Sequence, residues 1–272
     1  VRRTTVTIEG KKVSFWSNQY QSATTVLLLH GFRGDHTGLL ELARTFGQVS
    51  VIILDLPGYG DSEPFEGTHD FMAYAHFLDV FCGQLQMGPC IIAGHSFGAS
   101  LGIVFAACFP ARVQKLILIT PVTQAATLEA GLGKAYYKLA VWLPPWLRTA
   151  YLRSRLVDIL TDIILLKSPS ASRRQHLILA NQLQLKKLRT QVVIENFLSF
   201  YSTDILGMAA HIVAPTLLIT GEMDHISPLA SMQALFRQLR QGRMEVIPHG
   251  GHLVPLEQPH AVGRLVRTFI NS

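Results

Sequence analysis

Residues 90–98, Cys-Ile-Ile-Ala-Gly-His-Ser-Phe-Gly, constrain the rest of the chain more than any other stretch. The apolar run at 90–93 reads as a buried strand, and the apolar run from Ala99 to Phe109 reads as a helix. Gly94-His95-Ser96-Phe97-Gly98 stands between them and fits the Gly-x-Ser-x-Gly pattern of a sharp strand-to-helix turn. Such a turn strains the backbone at its serine and leaves room only for small residues two positions before and after, which Gly94 and Gly98 supply. It also lifts the Ser96 hydroxyl clear of the strand, at the N-terminus of the helix that follows. A strand of this kind belongs in a parallel sheet covered by helices.

The flanking sequence agrees. Residues 4–8 and 11–16 are β-rich runs split by Glu9-Gly10 and predict an N-terminal hairpin. Buried strands are expected at Thr24–Leu29, Ser50–Leu54 and Lys115–Ile119, with an amphipathic segment at Leu39–Phe46. A helix is expected at Asp70–Leu85, where Phe71, Tyr74, Ala75, Leu78, Phe81 and Leu85 keep helical spacing. The alternation then stops, and residues 127–210 read as helical throughout, broken at Pro144-Pro145 and Pro169. It resumes with strands at Pro215–Thr220 and Met244–Ile247 and helices at Leu229–Leu239 and Pro259–Ile270. The expected architecture is therefore α/β, a mostly parallel central sheet of about eight strands flanked by helices. Residues 1–121 and 211–272 form its core domain, and 122–210 an inserted helical cap, or lid.

Composition removes several classes of function. Hydrophobic residues make up 49% of the chain and charged residues 15%, the balance of a folded core and not of a disordered segment. No apolar stretch approaches the roughly 20 residues a membrane-spanning helix needs. Cys82, Cys90 and Cys108 lie in apolar surroundings without metal-ligand spacing, and no apolar stretch follows the basic N-terminal residues as in a signal peptide, so a cytoplasmic, reduced protein is expected. Neither an HExxH run nor clustered carboxylates suggest a metal, and no cofactor or nucleic acid partner is expected. Residues 122–210 hold 11 Lys/Arg against 5 Asp/Glu, which accounts for the whole net charge of +6. That excess suits a solvated helical face or peripheral contact with an anionic membrane surface. Tyr136, Tyr137, Trp142 and Trp146 beside Lys134, Lys138 and Arg148 suit either an interfacial helix or one packed on the core.

The motifs point to one edge of the sheet. His30-Gly31-Phe32 ends the second expected strand unit, and a glycine there lets the backbone turn so that the Phe32 N–H can serve, with the Phe97 N–H, as an oxyanion donor. In Asp55-Leu56-Pro57-Gly58-Tyr59-Gly60-Asp61-Ser62, turn roles are expected for Asp55 and Asp61. Gly221-Glu222-Met223-Asp224 and His249-Gly250-Gly251-His252 follow the last two strands. Taken with the Ser96 turn, these five stretches in this order resemble the α/β-hydrolase fold superfamily, and specifically its lid-bearing serine hydrolases. The resemblance covers nearly the whole chain and is weakest over the insertion. It implies a Ser96 nucleophile, an Asp224 acid and a His252 base, with His30, Gly31, Gly94, His95 and Gly98 supporting the turns and loops. Glu222, His249 and His260 are expected to be structural. The implied reaction is cleavage of a small to medium, apolar carboxylic ester. A carbon-carbon bond hydrolase, an acyltransferase or a ligand receptor on the same scaffold stays open. Ser96, where epoxide hydrolases and haloalkane dehalogenases carry aspartate, disfavours alkyl-transfer chemistry.

Overall fold

The computed structural model describes residues 1–123, 128–154 and 189–272. The strands are β1 (Arg2–Ile8), β2 (Lys11–Ser17), β3 (Thr25–Leu29), β4 (Ser50–Leu54), β5 (Cys90–His95), β6 (Val113–Ile119), β7 (Thr216–Gly221) and β8 (Gly242–Ile247). They form one sheet in the order β1-β2-β4-β3-β5-β6-β7-β8. β2 runs antiparallel to its neighbours β1 and β4, and every pair from β4 to β8 is parallel. The expected sheet of about eight mostly parallel strands is thus present.

Valine, isoleucine and leucine at Val26–Leu29, Ile91–Ile92 and Leu116–Ile119 are buried because helices cover both faces of these strands. One face packs against α2 (Phe71–Gln84) and α3 (Phe97–Cys108), with Phe71, Tyr74, Phe81 and Phe105 at its centre. The opposite face packs against α1 (Leu40–Arg44) and the C-terminal helix, around Leu42, Phe46, Val262 and Val266. Asp70 starts α2 by accepting the Ala73 N–H at 2.9 Å, a side-chain N-cap.

Between β6 and β7 come α4 (Leu128–Trp142), α5 (Pro145–Leu152), α6 (Thr190–Ser202) and α7 (Ile205–Ala209). Pro144-Pro145 separates α4 from α5, as expected, since proline cannot continue a helix but fits its first turn. Among the described residues of this stretch there is no strand. The expected break at Pro169, and with it residues 155–188, lies outside the described residues, as does the Lys134 side chain. After β7 come α8 (Leu229–Gln238), then β8, a short α9 (Val254–Glu257) and α10 (Pro259–Ile270).

Several elements run longer than the sequence pattern suggests. β5 extends to His95 and α3 begins at Phe97, leaving Ser96 as the single residue between them. β6 begins at Val113, which pairs with Cys90 while Gln114 is passed over at a register shift, and β8 begins at Gly242 because ladder pairing with β7 carries the polar Arg243 into the strand. Leu29 pairs with Leu54 and Gly94, and Ile119 pairs with His95 and Ile219. The strands therefore finish level, and the loops after β3, β4, β5, β6, β7 and β8 leave from one edge, where ligands bind in open α/β sheets.

Candidate active site

Ser96 is the hinge of the site. Its φ of 51° and ψ of −113° lie outside the regions a side-chain-bearing residue occupies freely, a strain of about 1–3 kcal/mol. The surroundings hold it there: the Ser96 N–H donates to Ile119 O at 2.9 Å, and its carbonyl accepts from Ala99 N and Ser100 N at 3.0 Å each. The flanking glycines are required by close approach of backbone. A Cβ on Gly94 would stand 2.2 Å from Gly98 O, and one on Gly98 would stand 2.3 Å from Leu29 O.

Asp224 and His252 reach Ser96 from the loops after β7 and β8. His252 Nε2 lies 2.8 Å from Ser96 Oγ, and its Nδ1 lies 2.9 Å from Asp224 Oδ2. A carboxylate only accepts, so the imidazole proton is on Nδ1, and Nε2 is left to accept from the serine hydroxyl. The other Asp224 oxygen accepts the N–H groups of Ile226 and Ser227 at 2.8 and 2.9 Å. Burial pushes the Asp224 carboxyl up, but attraction to His252 and these hydrogen bonds outweigh it and hold the group below the usual aspartate range. All three side chains are buried.

The position of His252 is fixed from behind. Its carbonyl accepts from His95 Nε2 at 3.0 Å and from Thr120 Oγ1 at 3.1 Å. His95 therefore carries its proton on Nε2 and turns away from Ser96 Oγ, and burial lowers its pKa to about 3. The Gly251 N–H donates to the buried Glu257 carboxylate at 2.9 Å. Glu222 is exposed and accepts from His249 N at 2.9 Å, while His225, His249 and His260 face solvent.

The loop after β3 makes a tight turn. Gly31 O accepts from Gly34 N at 3.0 Å and from His30 Nδ1 at 2.9 Å. His30 Nε2 accepts the Leu56 N–H at 3.1 Å, so the proton is on Nδ1 and the ring is neutral, consistent with a pKa lowered by burial. With the Gly31 carbonyl turned this way, the planar trans peptide sends the Phe32 N–H in the opposite direction. A Cβ on Gly31 would stand 3.5 Å from Ser96 Cβ, so this peptide lies against the serine. The Phe97 N–H is the first of α3 and has no partner within the helix. The Phe32 ring meets Tyr137 of α4 and Phe197 of α6, with centroids 5.7 and 6.1 Å away.

Asp55 is fully buried and accepts from His36 N, His36 Nδ1 and Asp61 N, while His36 stacks on Trp16 at 3.3 Å. These bonds shape the loop after β4. Sequence reading missed Thr120, whose hydroxyl helps hold the His252 carbonyl and which no local pattern marks. Among the described residues no group of three or more His, Cys, Asp or Glu is arranged to hold a metal ion, and no helix is long and apolar enough to cross a membrane.

Comparison with known proteins shows the family of the chain. A putative 2-succinyl-6-hydroxy-2,4-cyclohexadiene-1-carboxylate synthase of Bacillus subtilis (strain 168) is 26% identical over 261 residues, 92% of this chain and 92% of its own. A 2-hydroxy-6-oxononadienedioate/2-hydroxy-6-oxononatrienedioate hydrolase of Cupriavidus pinatubonensis (strain JMP 134 / LMG 1197) is 26% identical over 273 residues, 92% of this chain and 88% of its own. A thermophilic esterase from Thermogutta terrifontis, solved with malate bound, has the same fold, with a TM-score of 0.82 over 100% of this chain and 98% of that one at 23% identity. The model of the alpha/beta hydrolase family matches residues 26–265, a span from the first parallel strand to the last helix. With no part of the parallel sheet left unaccounted for, the chain belongs to the alpha/beta hydrolase family.

Proposed function

We propose that the protein is a cofactor-independent serine hydrolase that cleaves a carboxylic ester through an acyl-enzyme. The observation that carries this reading is the unbroken hydrogen-bonded line Ser96 Oγ, His252 imidazole, Asp224 carboxylate, mounted on a strained turn. Ser96 Oγ attacks the ester carbonyl carbon as His252 Nε2 takes the hydroxyl proton. Asp224 holds the imidazole tautomer and stabilises the imidazolium. The carbonyl oxygen becomes an oxyanion facing the N–H groups of Phe32 and Phe97, a pair of donors of which each is worth about 10² to 10³ in rate. Collapse breaks the carbon-oxygen bond, and His252 returns its proton to the departing alcohol. Water then repeats the sequence on the acyl-enzyme, releasing the acid and restoring Ser96.

The substrate reading rests on what faces Phe32. Tyr137 and Phe197 stack on each other at 4.1 Å beside it, and these described residues of the insertion offer aromatic surface to a small or medium apolar acyl group, which supports reading the insertion as a cap. A carbon-carbon bond hydrolase with the same three residues is the second reading, which the likeness to the 2-hydroxy-6-oxononadienedioate/2-hydroxy-6-oxononatrienedioate hydrolase supports. Fluorophosphonate labelling tests the nucleophile: wild type is expected to label and Ser96→Ala not to, and an unlabelled wild type ends the proposal. A p-nitrophenyl ester chain-length series beside a ring-cleavage diketone separates the two substrate classes.

The cap also offers a surface for peripheral contact with an anionic membrane. Trp142 is 86% exposed and Trp146 74% exposed at the α4–α5 corner, beside the exposed Lys138. Sedimentation with anionic vesicles tests this contact; an absence of salt-sensitive binding would end it.

A further inference from the structure

We propose that Glu257 is a positioning residue for the reaction: its buried carboxylate fixes the Gly250–Gly251 peptide, and through that peptide the register of Asp224 against His252. The inference rests on the Ser96 hydrolase reading given above and assigns a task to a charged side chain that the proton transfers themselves do not use.

The peptide between Gly250 and Gly251 is where the acid and base loops meet. Its carbonyl, on Gly250, accepts the Met223 N–H at 2.8 Å, one residue before Asp224. Its N–H, on Gly251, donates to Glu257 Oε2 at 2.9 Å, one residue before His252. In a planar trans peptide these two groups point in opposite directions, so the two bonds together fix the rotation of the plane. The flanking residues do not fix it themselves: both are glycine, and without a Cβ neither restricts its own φ and ψ. Space demands the small residue at 250, since a Cβ there would stand 2.9 Å from Val254 Cγ2. On the acid side, a Cβ on Gly221 would stand 2.3 Å from Gly250 O, so the two loops touch backbone to backbone.

Glu257 is the last residue of α9, and its side chain reaches back to Gly251. Gly251 through Glu257 thus becomes a closed ring with the proposed base inside it. Other tethers of this loop lie at the surface: His249 N donates to Glu222 Oε2 at 2.9 Å and Gln258 Nε2 to Pro248 O at 3.0 Å, where water replaces a lost partner. Gly251 and Glu257 are buried, so the Gly251 N–H has no such substitute. A carboxylate is kept in an interior only where its hydrogen bonds offset desolvation, and here the N–H it satisfies stands immediately before the base. With that acceptor deleted, the plane rotates toward another and draws the Gly250 carbonyl off Met223. The His252 carbonyl stays clamped by His95 and Thr120, so the error falls on the 2.9 Å contact between His252 Nδ1 and Asp224 Oδ2. A misplacement of about 1 Å at such a contact costs on the order of 10²-fold in rate.

Two readouts on the full chain test this, one kinetic and one independent of turnover. Glu257→Met keeps the length of the side chain and removes the acceptor, whereas Glu257→Gln keeps an oxygen for the Gly251 N–H. With a p-nitrophenyl ester, Glu257→Met is expected to lose tenfold or more in kcat with KM within twofold, and Glu257→Gln to stay within threefold of wild type. In proton NMR, the downfield resonance of the His252 Nδ1 proton is assigned by its loss in Asp224→Asn. It is expected to move upfield or broaden away in Glu257→Met and to persist in Glu257→Gln. Gln258→Ala cuts the surface tether to Pro248 O and is expected to keep kcat within threefold and the resonance in place, which separates a loosened loop from a misplaced peptide. Glu257→Ala takes the place of Glu257→Met should the latter fail to fold, with the same expectations. A kcat fall of less than tenfold on loss of the acceptor, a loss expressed in KM, a loss beyond threefold in Glu257→Gln or Gln258→Ala, or an unmoved resonance overturns the inference. Absence of Ser96-dependent ester turnover in wild type overturns the hydrolase reading instead, and the resonance then decides by itself whether Glu257 sets the contact of His252 with Asp224.

Discussion

Asp224→Asn is the most informative single change at the site, because the structure decides which way the new amide faces. One Asp224 oxygen accepts two backbone N–H groups, at 2.8 and 2.9 Å, and the other accepts from His252 Nδ1. Were the Asn NH2 to face Ile226 and Ser227, two buried N–H groups would lose their acceptor at about 1–3 kcal/mol each. The amide carbonyl therefore stays on those N–H groups, and the NH2 is left facing His252. To accept from it, the imidazole must move its proton from Nδ1 to Nε2, where it points at Ser96 Oγ. The serine then faces a donor in place of a base. Expected is a fall in kcat of about 10⁴, equivalent to about 5.4 kcal/mol of transition-state stabilisation. Steady-state turnover of a p-nitrophenyl ester measures it, with circular dichroism showing that the isosteric variant keeps its fold. Activity within tenfold of wild type would refute the assignment of Asp224 as the group that sets the tautomer.

Other consequences concern stability. Burial holds the imidazoles of His30, His69 and His95 below their ordinary pKa, the last at about 3, so the fold takes up protons at these sites less readily than the unfolded chain, which gains them below about pH 6.5. Thermal midpoints are expected to drop as pH falls from 6.5 toward 4, and His95→Gln to flatten that slope; a pH-independent midpoint would contradict it. Gly98→Ala brings a Cβ within 2.3 Å of Leu29 O and is expected to cost more than the roughly 3 kcal/mol of ordinary substitutions. Gly88→Ala, with nothing within 4 Å, is expected to stay within about 0.5 kcal/mol in urea unfolding. Phe71→Ala empties a fully buried site stacked on Phe97 at 4.7 Å and is expected to lose about 3–5 kcal/mol by the same measurement.

The sheet and the serine turn were legible because their constraints are local. Gly94 answers to a steric limit within the turn itself, while the limit at Gly98 is set by Leu29 O on the neighbouring strand and is legible only as part of the five-residue pattern; the continuous apolar runs of β3, β5 and β6 have only one place in a sheet covered on both faces. The proposed base was legible only through resemblance. Four histidines crowd residues 225–260, and elementary physics does not choose among them until the fold turns His225, His249 and His260 to solvent and His252 inward. Asp55 could be read as a turn residue, yet its partners His36 and Asp61 follow from a tertiary approach that no local rule encodes. The buried hydrogen bond from Tyr59 to Asn196 joins residues separated by 137 positions, so neither periodicity nor spacing reveals it. Helix limits erred for a related reason: α3 starts at Phe97 because one strained residue, and not a gradual turn, separates it from β5.

The neighbouring placement of β6 and β7 bears on how such a protein diversifies. Because the insertion leaves from one strand and returns to the next in the ladder, its two ends stand side by side, and the sheet closes in the same way whatever length of chain is spliced there. Topology therefore permits wholesale exchange of this segment between relatives as a modular graft. The buried amide of Asn196 limits that freedom. A transplanted cap that brings no hydrogen-bond acceptor to the Tyr59 phenol leaves that buried hydroxyl unsatisfied, so exchanged caps are expected to fold stably only where they match it.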